Sequence, residues 1–406
     1  MKLSEELQWR GFYNQTTFES PDELDAQKYT LYVGTDPTGD SLHVGHLAVY
    51  MLVRQFLQRG HGVVLLVGGG TGVVGDPGGR TDERDILSLD TIASNVQALS
   101  GQVSKLFSGK DFLLVNNYDW LKDVSILDFL RDVGKHFSMT QMVQRDFVAS
   151  RMGEDGSGIS YAEFSYTLLQ GYDFWHLAKT HGVNLQIGGA DQWGNIISGV
   201  ELVRKKERTQ VHGMTAPLII NKSTGRKFGK SEGGAVWLDP VKTSPYKFYQ
   251  FWLNTDDQST VDYLKIFTTL SREEIDAIER NHQENPGARS AQRALAANVT
   301  DLVHGEDRRR SVERVTAVLF GQEQFASLDA EDLEALAMEI PVVTTGKSVV
   351  EVLVESGVAK SNGEARRLIA GGAVSINGEK VQDDVEIDDS SLVKKGKNSF
   401  VLVHAL

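Results

Sequence analysis

The sequence predicts an α/β fold. A parallel sheet covered by helices on both faces carries a helical insertion near 118–180. An α-helical domain and a small α+β domain follow. Three observations predict this. From about residue 30 to about 225, short apolar runs alternate with longer helical patterns, as a sheet buried on both faces requires. The stretch from about 245 to 323 reads as helical. The last sixty or so residues hold two helical patterns and a hairpin signal. A chain of 406 residues has room for two or three domains. The expected boundaries are 1–225, 226–323, a linker at 324–346, and 347–406.

The strand candidates come in order. Tyr29–Val33 is the first, followed by Val63–Val67, Phe112–Val115, Asn184–Ile187 and Pro217–Ile220. A helical pattern runs from His46 to Arg59, and Gly60 closes it. Ser271 with Glu274 three residues on is a helix start, the serine as N-cap and the glutamate reaching back. Helical patterns at 348–356 and 361–370 precede Asn377-Gly378, a tight-turn pair between β-prone runs.

Composition removes several function classes. No apolar run approaches the roughly 20 residues needed to span a bilayer. Met1 to Glu6 lacks the apolar core of a secretory signal. With no cysteine there are no disulfides and no thiolate metal ligands. These features fit the cytoplasm. A net charge of −13 opposes sequence-blind binding of nucleic acid, which rests on phosphate neutralisation, but leaves room for a local basic patch.

The first strand runs into Gly34-Thr35-Asp36-Pro37-Thr38-Gly39-Asp40-Ser41-Leu42-His43-Val44-Gly45-His46. A glycine-containing loop thus joins a strand to a helix N-terminus, where backbone N–H groups and the helix dipole favour phosphate. His43 and His46 share one face of the first turn, so both can donate to phosphoryl oxygens. Gly45 removes a side chain where a nucleotide must approach the backbone. The alternative is that these histidines cap the helix or bind a metal. A second glycine-rich loop, Gly68 to Pro77, follows the second strand. Its Gly70-x-Gly72-x-x-Gly75 matches the dinucleotide fingerprint formally. It lacks the acidic residue at the next strand end that a nicotinamide cofactor site needs. Lys227-Phe228-Gly229-Lys230-Ser231 is not a phosphate-cradling P-loop, because Thr224 stands where the first glycine is required. It reads either as an exposed basic loop or as a loop whose lysines neutralise phosphates.

Tyr166, Gln170 and Asp173 are spaced to share one helix face. The flanking Phe164, Leu168, Leu169, Phe174 and Trp175 suit a buried polar pocket as well as a solvated stripe.

His43-x-Gly45-His46 at a first helix, with a late Lys-x-x-Lys-Ser loop, resembles the two signatures of class I aminoacyl-tRNA synthetases. Leu31-Tyr32-x-Gly34-x-Asp36-Pro37-Thr38, Gly75-Asp76-Pro77, Tyr161 to Tyr166, Gln186 to Asn195, Lys227 to Ser231 and Thr243 to Trp252 resemble the bacterial-type tyrosyl-tRNA synthetases. The likeness covers nearly the whole chain. It implies a Rossmann-like catalytic domain that joins L-tyrosine to ATP as tyrosyl adenylate, then passes tyrosine to the 3′ end of tRNA. It implies that Asp173 accepts a hydrogen bond from the substrate phenol, that Tyr32 donates one, and that Tyr166, Gln170 and Asp76 hold the α-amino group. Phenylalanine would leave such groups buried and unpaired. Thr38 and His43 would meet the γ-phosphate and His46 the ribose or its surroundings. Lys227, Lys230 and Ser231 would close over pyrophosphate. Gly34, Asp36, Asp191 and Gln192 would line the ATP and adenylate region. Mg2+ would come with ATP, with no dedicated protein metal site. Val49 stands where the family often has Thr or another residue facing the ribose, so the resemblance implies that one ribose contact is missing or different.

Residues 347–406 resemble an S4-type RNA-binding domain, on Ser348 to Leu353, Ser361 to Ile369 and Val374-x-Ile376-Asn377-Gly378. Residues 341–406 hold eight Lys/Arg against nine Asp/Glu, so any RNA contact must be a local patch. Lys360, Arg366, Arg367 and Lys380 are the candidates. The family is homodimeric, and a helical insertion near 118–160 could supply the two-fold interface. Two rivals stay open at this point: a tryptophan synthetase, and an RNA-binding regulator that kept the fold without the activity.

Overall fold

The computed structural model describes residues 1–405 except 79–86, 145, 154–155, 224, 226–227, 229 and 232–233. At 141, 146–147, 150, 230 and 231 it describes the backbone alone. The chain forms two compact units, each discontinuous in sequence. One is Met1–Thr243 with Trp252–Val299, and the other is Ser244–Phe251 with Thr300–Leu406.

The first unit is built on a five-stranded, wholly parallel sheet. In chain order its elements are β1 (Thr30–Thr35), α1 (Val44–Leu57), β2 (Gly62–Val67), α2 (Leu89–Leu106), β3 (Leu113–Asn116), α3 (Tyr161–His181), β4 (Leu185–Gly189), α4 (Trp193–Glu207) and β5 (His212–Ala216). The strand order is β3-β2-β1-β4-β5. Leu31, Tyr32 and Val33 on β1 and Val63 to Val67 on β2 are buried on both faces, which is why they read as unbroken apolar runs. Each large side chain buried there contributes about 1.5–3 kcal/mol. Strand order reverses between β1 and β4. The crevice at their carboxyl ends is where such sheets take ligands.

The helical insertion lies between β3 and β4. It comprises Tyr118–Leu121, Ile126–Asp132, Met139–Val143 and Asp146–Met152 and leads into α3. Ser160 and Glu163 form a reciprocal cap at the start of α3, and Gly182 in the left-handed region ends it. Glu163 also receives Arg151 through two bonds of 3.0 and 2.9 Å, both side chains buried.

One strand differs from expectation. β5 is His212–Ala216, not Pro217–Ile220. Pairing with β4 ends at Ala216, and beyond Pro217 the side chains of Leu218 and Ile220 are 49% and 46% exposed. Gly213 on β5 lets α4 close down, since a Cβ there would strike Ile196.

The second unit packs α5 (Glu306–Leu319) against α6 (Ala330–Ala337), then adds β6 (Val342–Val343), α7 (Val349–Glu355), α8 (Asn362–Ala370), β7 (Val374–Ile376), β8 (Glu379–Lys380), β9 (Ser391–Lys395) and β10 (Ser399–Val403). The sheet order is β8-β7-β9-β10-β6, with only the β10–β6 pair parallel. Asn377 and Gly378 both have positive φ, as the hairpin between β7 and β8 demands. The segment 324–346, read from sequence as a linker, holds α6 and β6. Val315, Leu319 and Leu336 share one core with Leu392 and Leu402 of the final sheet. Arg314 clamps the fully buried Asp332 with bonds of 2.6 and 2.7 Å.

Candidate active site

A cleft of about 630 Å³ opens at the carboxyl ends of β1 and β4, within the roughly 300–1,000 Å³ usual for small-ligand sites. It is lined by Tyr32, Gly34, Asp36, Thr38, His43, His46, Asp76, Tyr166, Gln170, Asp173, Asp191 and Gln192, which came from separate stretches of sequence. Val49 lines it too.

The nucleotide end begins at α1. His43 is the N-cap, and its Nδ1 accepts from the Gly45 N–H at 3.0 Å. His46 Nδ1 accepts from the His43 N–H at 3.2 Å. With both Nδ1 atoms accepting, each neutral ring carries its proton on Nε2 and can donate from there. The rings stack at 3.9 Å. Burial, with His43 beside it, pushes the His46 imidazole down to about 3, so this ring is a neutral donor. Gly45 has a local reason as well: a Cβ there would lie 2.8 Å from the His43 ring. At Gly34 a Cβ would make only an ordinary 3.5 Å contact with Leu66. Packing does not demand that glycine, and its exposed backbone faces the cleft.

The other end is a buried polar pocket. Among the described residues, buried Tyr32 Oη has no hydrogen-bond partner, and neither has Gln170 Oε1. Asp173, 2% exposed, accepts from Asn117 Nδ2 at 2.8 Å and Trp120 Nε1 at 2.9 Å. Burial pushes its carboxyl up to about 7 against the pull of those two donors. Burial, with Asp173 close by, raises the Tyr32 phenol well above its usual range. Tyr166 donates to Asp36 Oδ2 at 2.8 Å, and Thr71 donates to Asp36 Oδ1 at 2.7 Å. An unpaired phenol oxygen beside a buried carboxyl suits a ligand that brings its own hydroxyl into apolar surroundings.

The second glycine-rich loop serves packing. Its Gly69 and Gly70 N–H groups are taken by Asn116 and Asn117 at 3.1 and 2.7 Å. A Cβ at Gly72 would meet Pro37 at 2.9 Å. Asp76, near the end of the loop, accepts from Gln192 at 2.6 Å, and Gln192 accepts from Asn195 at 3.2 Å. Asp76 and Gln192, assigned by resemblance to opposite ends of the substrate, therefore touch.

Lys227 lies outside the described residues. Lys230 and Ser231 are described by backbone alone, in a two-strand ladder with Gly234–Ala235. The exit of that hairpin is tied to α1: Val44 N–H donates to Val236 and Leu238 N–H to Leu42, at 3.0 and 2.9 Å. Its entry is held by Phe228, whose ring packs on Trp252, Tyr263 and Phe267.

On the second unit, Arg366 and Arg367 are exposed on α8. Lys360 is exposed just before α8, and Lys380 is exposed on β8.

Sequence reasoning gave no role to Thr71, which holds Asp36, or to Asn117 and Trp120, which hold Asp173. The one signal for Asn117 was its position directly after a strand, where sites in such sheets gather.

Comparison with known proteins agrees with this geometry. Residues 24–321 match the family described as tRNA synthetases class I (W and Y). Residues 332–403 match the tyrosine–tRNA ligase SYY-like C-terminal domain. Tyrosine–tRNA ligase 2 of Bacillus cereus is 46% identical and the tyrosine–tRNA ligase of Limosilactobacillus reuteri 45%, each comparison covering 99% of both chains. The crystal structure of a C-terminally truncated mitochondrial tyrosyl-tRNA synthetase from Aspergillus nidulans superposes with a TM-score of 0.71 at 32% identity. It covers 79% of this chain and 94% of that one. A tryptophanyl-tRNA synthetase from Encephalitozoon cuniculi shares the fold at 12% identity, with a TM-score of 0.56 over 82% of this chain and 91% of that one. On the length and identity of these matches, the chain belongs to the tyrosyl-tRNA synthetase family of the class I tRNA synthetases.

Proposed function

We propose that this chain is a tyrosine–tRNA ligase that activates L-tyrosine with ATP and transfers it to the 3′ end of tRNA. One observation carries the choice of tyrosine: the buried Tyr32 hydroxyl, without a partner among the described residues, shares its pocket with the buried acid Asp173. A phenol entering there accepts from Tyr32 and donates to Asp173. An indole has no oxygen to accept with.

The tyrosine carboxylate attacks the α-phosphorus of ATP. The new bond joins carboxylate oxygen to phosphorus, and the bond to pyrophosphate breaks. No protein nucleophile is needed, so catalysis rests on positioning and on stabilising charge as it develops. Tyr166, Gln170 and Asp76 hold the ammonium group. His43 and His46 donate from Nε2, His43 with Thr38 to the γ-phosphate and His46 near the ribose. Gly34 and Asp36 border the nucleotide, Asp191 and Gln192 the ribose and adenylate. Lys227, Lys230 and Ser231 close over pyrophosphate. ATP arrives as its magnesium complex, so the metal belongs to the substrate. The second unit contributes tRNA contacts through Lys360, Arg366, Arg367 and Lys380.

We read the protein as cytoplasmic and homodimeric. Among the described residues no helix is long and apolar enough to cross a membrane. Ile126 and Leu127 on the insertion are 72% and 74% exposed, an apolar face suited to a two-fold contact.

The test is ATP–pyrophosphate exchange with each amino acid in turn. Exchange with tyrosine alone is expected. Exchange with tryptophan in its place overturns the assignment, and exchange with none turns the chain into an inactive RNA binder.

A further inference from the structure

The two ends of the tyrosine pocket are joined inside the protein by an unbroken run of hydrogen bonds. Asn117 and Thr71 are 0% and 2% exposed. The orientation of the Asn117 amide is fixed, because its Oδ1 takes the Gly70 N–H at 2.7 Å. Its two N–H bonds go to Thr71 Oγ1 at 2.9 Å and Asp173 Oδ2 at 2.8 Å. The Thr71 hydroxyl accepts from Asn117, and its single proton goes to Asp36 Oδ1 at 2.7 Å in preference to the Gly68 carbonyl at 3.3 Å. Asp36 Oδ2 takes the Tyr166 phenol at 2.8 Å. These bonds give the run one direction, from Asn117 through Thr71 to Asp36. Gly68 keeps the space open, since a Cβ there would collide with both Asp36 Oδ1 and Thr71 Oγ1.

The run sets the state of both subsites. With its proton given to Asp36, the Tyr166 oxygen turns lone pairs toward an ammonium. With Asn117 and Trp120 donating to it, Asp173 is held where a phenol can add a third donor.

We infer that Thr71 is a positioning residue that couples recognition of the substrate phenol, through Asn117 and Asp173, to recognition of its ammonium group, through Asp36 and Tyr166. The inference rests on the reading above that the phenol meets Asp173 and the ammonium meets Tyr166. Val at position 71 keeps the shape and removes the hydroxyl. It leaves a buried N–H of Asn117 unmet and takes one donor from Asp36, a loss worth about tenfold or more.

The measurement is tyrosine KM, ATP KM and kcat in ATP–pyrophosphate exchange for the full chain. Thr71→Val is expected to raise tyrosine KM about tenfold with ATP KM unchanged, and Thr71→Ser to restore it to within about twofold. In the parent chain, Tyr166→Phe and Asp173→Asn should combine to less than the product of their separate effects, by about threefold or more. In the Thr71→Val background the two effects should multiply. Tyrosine KM unchanged by Thr71→Val while Asp173→Asn raises it overturns the inference and leaves the pocket reading standing. Thr71→Ser as damaging as Thr71→Val, or ATP KM rising in step, reduces Thr71 to a packing residue and overturns it too. Asp173→Asn without effect on tyrosine KM removes the pocket reading and the inference with it.

Discussion

Asp173 is a carboxyl kept out of water and faced by two neutral donors, with Asp36 as the nearby charge that opposes its ionisation. Its proton is held in the empty pocket below pH about 7. A phenol donating to a carboxylate needs that proton gone. Tyrosine KM should therefore fall as pH rises through about 7, and Asp173→Asn should flatten the profile. A KM equally dependent on pH in both proteins would detach the titration from this residue. Asp173→Ala should weaken tyrosine activation by a hundredfold or so, because it strands Asn117 and Trp120 as well as the phenol. Unchanged kinetics would refute the phenol assignment. His46 makes an opposite prediction. Its imidazole is pushed down to about 3, so kcat should show no loss from its protonation anywhere above pH about 4. These residues were unevenly legible. Tyr32, His43 and Tyr166 stand in dense motifs, and Asp173 follows Tyr166 at helical spacing. Thr71 and Asn117 are ordinary polar residues until the fold brings positions 46 and 56 apart in sequence within bonding distance.

Among the elements, α3 has the most to hold, since Tyr166, Gln170 and Asp173 all ride on it. Its first turn is fixed by Ser160 and by the buried Arg151–Glu163 pair. Arg151→Met should leave Glu163 buried without its cation, lowering stability by about 3–5 kcal/mol. A urea midpoint equal to that of the parent would show the pair to be dispensable. Strands β1 and β2 were readable because both faces are buried and the apolar run is continuous. β5 was not. His212-Gly213-Met214-Thr215-Ala216 carries little strand signal, and its burial comes from pairing with β4 and cover by α4. The apolar Pro217-Leu218-Ile219-Ile220 next to it drew the reading four to five residues along, yet its Pro217, Leu218 and Ile219 line the cleft.

For the molecule as a whole, the tail cannot be treated as a detachable module. A cut at residue 341 removes Leu392 and Leu402 from the core they share with Val315, Leu319 and Leu336. The chain ending there should lose stability in its helical part as well as its tail. The cleaner probe of tRNA contact is surface charge. Arg366→Glu with Arg367→Glu should leave ATP–pyrophosphate exchange intact and reduce tRNA charging about tenfold or more, with a shallower dependence on salt. Charging at the parent rate would take α8 out of the RNA contact. The sequence separated a tail because its motifs are self-contained. It could not show that the segment before it packs into the same core, since Val342–Val343 is too short a strand to announce itself.

That two-residue strand bears on how the protein is made. β6 pairs with β10, which follows α6 only after α7, α8, β7, β8 and β9. A ribosome adding about 5–20 residues per second delivers α5 and α6 several seconds before their remaining core partners exist. The first unit, complete by Val299, has no such wait. A nascent chain should thus assemble its tyrosine pocket while Leu319 and Leu336 still lack Leu392 and Leu402, so a chain halted before β9 would form adenylate yet invite chaperones.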